Sequence, residues 1–145
     1  MNSNENEPYR PVIRSQADLE EVWRHLMGPQ EYTAHAVWCL FIDPDHRPIP
    51  QLVEIGETAE VPDEEERRRF TDFLAHFGGD LGPGEVRIAF LIARPGPGVL
   101  RAHDRGWAAA LYDVTHRAGL GCETVHLATD RGIRPLPLDE LDVAS

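Results

Sequence analysis

Three stretches of the chain repeat apolar residues at helical spacing. Leu19, Val22, Trp23 and Leu26 fall at i, i+3, i+4 and i+7 and predict one apolar stripe. Ser15 suits the N-cap and Asp18 has capping-box spacing, so this helix is expected to start at Gln16 and to stop at Gly28-Pro29. Phe70, Phe73, Leu74 and Phe77 repeat the pattern, behind Pro62 and the acids Asp63, Glu64, Glu65 and Glu66, which favour a helix N-terminus. Gly78-Gly79 reads as its end. Trp107, Ala110, Leu111, Val114 and Ala118 form a third stripe, over about Asp104 to Ala118, with Gly119 as the stop.

Shorter apolar runs predict strands. His35 to Ile42 is one, and Ile49 to Ile55 returns beside it after the turn-rich Asp43-Pro44-Asp45-His46-Arg47-Pro48. Pro48 and Pro50 point to a sheet edge there. Val86 to Ala93 is nearly all apolar, as a central strand covered on both faces requires. Thr124 to Ala128 and Ile133 to Leu136 flank Thr129-Asp130-Arg131-Gly132, a hairpin turn. The expected fold is α/β (α+β): a mixed sheet covered by helices, in the order α-β-β-α-β-α-β-β. A length of 145 residues fits one domain, over 15–136, between an N-terminal flexible segment (1–14) and an acidic C-terminal tail (137–145).

Charge narrows the classes of partner. The net charge is −11, which argues against general nucleic-acid binding. Residues 1–93 hold 8 Arg against 18 acids, whereas 94–134 hold 6 Arg against 4 acids. All 14 basic residues are Arg, so Schiff-base chemistry and a Walker-type lysine are excluded. The longest apolar run, Ala36 to Ile42, is far short of a membrane span. No basic-then-apolar leader opens the sequence, and a cytoplasmic location is expected.

Candidate chemistry gathers between Arg94 and Arg134. Arg94, Arg101 and Arg105 surround the predicted start of the third helix, where guanidinium groups and free N–H groups attract carboxylate or phosphate. Pro95 and Pro97 remove two backbone donors, so the turn makes a poor phosphate cradle. His103-Asp104 would supply a metal or acid/base pair together with His116 or His126, but no His-x-x-x-His repeat exists and Asp104 suits a helix cap. Arg67-Arg68-Arg69 is expected to pair with the acids one turn upstream. Cys39 reads as a buried hydrophobe and Cys122 as a loop thiol, reactive only with a lowered pKa. Trp23, Trp38 and Trp107 read as core. Glu31 and Asp43 are a further pair of carboxylates that hydrolysis would have to bring together. Serine is confined to Ser3, Ser15 and Ser145, none suited to a nucleophile.

The element order, the phrases Pro29-Gln30-Glu31 and Leu40-Phe41-Ile42-Asp43, and the closing hairpin resemble RadC-like members of the JAB/MPN domain family over residues 15–136. That family contains zinc hydrolases of isopeptide or peptide bonds and metal-free scaffolds. Its zinc signature is a Glu, then His-x-His-Pro at a strand end, then Ser-x-x-Asp opening the next helix. Here the strand end reads Ile92-Ala93-Arg94-Pro95, so Ile92 and Arg94 replace both histidines, and Arg101 replaces the serine. Only Asp104, and upstream Glu31, match. The resemblance therefore implies a JAB/MPN-like fold without the metal site and without a cofactor: a catalytically silent scaffold or protein-binding module for a protein partner or for a second copy. The surface expected to carry it is Arg94, Arg101, His103, Asp104 and Arg105, with Arg131 and Arg134 from the hairpin. The alternatives are a zinc-dependent hydrolase using His103, Asp104, His116 and His126, and a small-anion sensor at the same arginines.

Overall fold

The computed structural model describes residues 11–28, 32, 34–56, 58, 60–80 and 86–138. The elements run α1 (Gln16–Met27), β1 (Ala36–Ile42), β2 (Pro48–Ile55), α2 (Glu64–Asp80), β3 (Arg87–Ala93), α3 (Ala102–Arg117), β4 (Gly121–Cys122), β5 (Val125–Thr129) and β6 (Gly132–Leu136). The expected order holds, with one addition: Cys122 lies in the two-residue strand β4, parallel to β3, rather than in a loop.

Among the described residues, six strands form one mixed sheet in the order β2-β1-β3-β5-β6, with β4 beside β3 off this path. β3 is antiparallel to β1 and parallel to β5, so α3 is the crossover of a β-α-β unit. β2 is an edge strand, as its prolines imply.

Side chains alternate across the sheet with a period of two residues. Val37, Cys39, Phe41, Ile88, Phe90, Ile92, Val125 and Leu127 face α2 and α3, where Leu74, Trp107, Leu111 and Val114 complete a core. Leu40, Ile42, Ala89, Leu91, Ala93 and Ala128 face α1, against Leu19, Val22 and Trp23. The result is a three-layer stack, one helix on one face and two on the other. Trp23 and Trp107 are core residues, whereas Trp38 is only half-buried, beside the α1 layer.

Ser15 caps α1 as expected, accepting from the Asp18 amide at 3.1 Å, and Gly28 ends the helix at φ 65°. Asp18 accepts from Arg14 N rather than closing the box on Ser15. Asp63 and Glu66 form a reciprocal capping box ahead of α2, at 2.8 and 3.0 Å.

Three expectations need correction. Gly78-Gly79 does not stop α2, which runs on through Asp80. A Cβ at Gly78 would sit 3.1 Å from the Leu120 side chain, so close packing, not termination, accounts for a glycine there. Arg67 donates across to Asp113 on α3 at 3.0 Å rather than to an acid of its own helix, and Arg117 of α3 reaches back to Glu64. The N-terminal boundary also moves. Ile13 is fully buried, its amide donates to His46 O, and its carbonyl accepts from Arg87. Residues 1–10 and the acidic residues from Asp139 lie outside the described residues. Among the described residues, no helix is long and apolar enough to cross a membrane.

Candidate functional site

The end of β3, the start of β1 and the N-terminus of α3 meet, because Ala36 pairs with Ala93 and α3 follows β3 after a short turn. In parallel α/β units this carboxyl end of the strands is the usual place for chemistry. A pocket of about 270 Å³ lies there, lined by His35, Arg94, Pro95, Arg101, His103 and Asp104.

Four of the nominated residues thus come together, but two of them are not surface. Arg94 is 4% exposed and Asp104 is 0% exposed, so both belong to the interior. The Arg94 fork donates from Nε to Asp104 Oδ1 at 2.7 Å and from Nη2 to Oδ2 at 2.8 Å. Its remaining bonds go to the carbonyls of Pro95, Pro97 and Val99, at 3.1, 2.9 and 2.9 Å. Every guanidinium N–H bond direction is therefore used inside the turn. Asp104 also accepts the Arg101 amide at 2.9 Å, which makes it a cap of α3 from the third helical position. Burial raises the Asp104 pKa, but the Arg94 fork and the Arg101 amide outweigh it and hold the carboxyl below its ordinary range.

The anion that the arginines and the helix N-terminus call for is already present: it is the Asp104 carboxylate. Backbone geometry supports the same closure. Gly96, at φ 95°, donates to Asp130 Oδ2 at 2.9 Å, and the guanidinium of Arg101 lies 3.0 Å from where a Cβ would be. From the closing hairpin, Arg134 donates to Gly98 O at 3.4 Å, and Arg131 lies against Gly98. Arg101, Arg131 and Arg134 are exposed, and His103 and Arg105 are half-buried.

His35 is the member that sequence reasoning missed. Thr58 Oγ1 donates to the His35 carbonyl at 3.1 Å, so the ring Nδ1, 2.8 Å from the same oxygen, is the donor. That tautomer leaves Nε2 as an acceptor, buried and without a hydrogen-bond partner. Burial first, then the His103 charge, lowers the His35 pKa to about 4, so the ring is neutral at pH 7. The His35 and His103 rings meet edge to face at 4.7 Å. A lone histidine before a strand carries no spacing signal; the Thr58 contact arises only in the fold.

The alternative zinc set does not assemble. His116 is exposed near the end of α3. His126, opposite Leu91, lies on the α1 face of the sheet, with Nδ1 on Thr124 O. Among the described residues, no group of three or more His, Cys, Asp or Glu side chains is placed to hold a metal ion. Glu31 lies outside the described residues, and Asp43 sits in the β1–β2 turn, at the far end of β1, accepting from Asp45 and Arg47 amides. Neither thiol is activated: burial raises Cys39 to about 12 and Cys122 to about 11.

A second and larger hollow, about 550 Å³, lies between β2 and α2. Val53, Ile55, Phe70 and Phe73 give it an apolar floor, and Glu54, Glu60 and Glu66 ring it with Arg69. Phe73 belongs to the predicted stripe but is 41% exposed, on the wall of this groove. No protein-family model matches the chain, and no curated protein matches it.

Proposed function

We propose that this chain is a non-catalytic protein-binding module, acting in the cytoplasm on a protein partner, with the groove between β2 and α2 as its contact surface. The observation that carries this reading is the contrast in commitment. Arg94 and Asp104 at the end of β3 are spent on each other and on the turn, whereas, among the described residues, the groove leaves an aromatic side chain and a strand edge uncovered. The RadC-like JAB/MPN resemblance, in the metal-free scaffold mode of that family, supports the same reading, since Arg94 and Asp104 pair at positions where the zinc signature has ligands. An acidic rim disfavours nucleic acid.

Two measurements test it. The tagged full chain, purified from its own cells, retains a partner in fixed stoichiometry, and Phe73→Glu releases that partner while the far-UV spectrum and melting temperature stay unchanged. Partner retention indifferent to Phe73→Glu overturns the assignment of the groove. About one zinc per chain in elemental analysis of untagged, chelator-free protein overturns the non-catalytic reading altogether.

A further inference from the structure

We infer that the groove takes an extended, basic segment of the partner, added as a strand to the free edge of β2. This rests on the module reading and names the chemistry of its occupant. Three observations carry it.

Among the described residues, β2 pairs with β1 on one side only, so Gln51–Ile55 presents a row of backbone donors and acceptors outward. Pro48 and Pro50 lack N–H groups, which places the usable edge at the second half of the strand, beside the groove. Main-chain bonds to such an edge supply affinity, and alternate side chains of the incoming strand supply specificity.

The groove has the shape for that alternation. Side chains at i and i+2 of an added strand point the same way. One set falls toward Phe73, Phe70 and Val53, an apolar surface that would otherwise stay wet. The other set points to the α1 face of the sheet, where Glu54 lies between Val53 and Ile55.

The rim fixes the sign of charge. Glu54, Glu60 and Glu66 oppose a single Arg69. Among the described residues, Glu54 and Glu60 make no ion pair, whereas Glu64 one turn away is committed to Arg117. Arginine or lysine at alternate positions therefore completes the charge pattern, and a second copy of β2, with its own Glu54, repels.

The test is fluorescence anisotropy of a labelled peptide alternating arginine and valine over about nine residues, long enough to span the edge, titrated with the full-length chain. Saturable binding is expected. Affinity should fall at least about tenfold when alternate peptide amides are N-methylated, which removes strand pairing but keeps charge. A similar loss is expected for the Glu54→Lys, Glu60→Lys double variant. Binding of the parent peptide should slow amide exchange at Val53–Ile55 in the unaltered chain, a readout that no folding defect can imitate.

Equal binding of the N-methylated peptide overturns strand addition. Equal binding of a glutamate–valine peptide overturns the basic occupant. Self-association of the chain that displaces the peptide assigns the edge to a second copy, and also overturns it. A Phe73-dependent partner with no peptide binding leaves the module reading standing and overturns this inference alone; absence of both overturns both.

Discussion

The turn after β3 and the groove beside β2 use similar materials to opposite ends. Both lie beside helices on the same side of the sheet, and both combine arginine, carboxylate and aromatic neighbours. At the turn, Arg94 and Asp104 pair at hydrogen-bond distance and are out of water. At the groove, charges line a rim and an aromatic ring stays exposed. The difference shows that a cluster of chemistry-bearing residues is not by itself a site. What matters is whether their bonding capacity is already used.

The largest effect should come from opening the closed region. Asp104→Ala leaves a buried guanidinium without its counter-ion, and a loss of about 3–5 kcal/mol is expected in denaturant unfolding. A loss under about 1 kcal/mol would mean that the pair behaves like a surface contact. Replacing both partners, Arg94→Met with Asp104→Leu, should recover part of that loss, because no isolated charge remains; the Pro95, Pro97 and Val99 carbonyls still lose their donor.

Acid should act on the closed region in two stages. His35, at about 4 in the fold, lies below the unfolded histidine value of about 6.5, so the unfolded chain takes up the proton first. Stability is therefore lost as pH falls through that window, and His35→Gln should flatten it. Asp104, held below its ordinary range, stabilises the fold above about pH 4 and loses that contribution as pH falls further. Asp104→Asn should remove the second stage. An acid limb unchanged by both variants would break this account.

The smallest effect on stability belongs to the open region. Phe73→Ser should change unfolding free energy by no more than about 0.5 kcal/mol, yet weaken partner retention. A large loss of stability would show that the ring is a core residue rather than a contact surface.

Much of the framework was legible because it follows from local pattern. The α1 cap, the central position of β3, the edge character of β2 and the final hairpin each rest on residue types whose conformational preferences act within a few positions. The failures share a different cause. Gly78 serves Leu120, distant in sequence, so its role is invisible to a rule about helix ends. Pro95 and Pro97 read as lost donors, whereas the fold uses their carbonyls as acceptors for Arg94. Arg94 and Asp104 were nominated together, but nothing in their spacing says whether they face solvent or each other. His35 and Thr58 became partners only through chain packing.

The outer margin of β2 also bears on how this chain behaves in a crowded solution. An unpaired strand is a template for aggregation, and identical copies are the most abundant material at hand. Two prolines break the template along half its length, and Glu54 sets a negative charge wherever copies would stack in register. On the proposal above, the margin accepts a single foreign strand, while its prolines and Glu54 oppose a growing fibril. Resistance to self-association at high concentration thus depends on the chemistry of this margin as well as on the core.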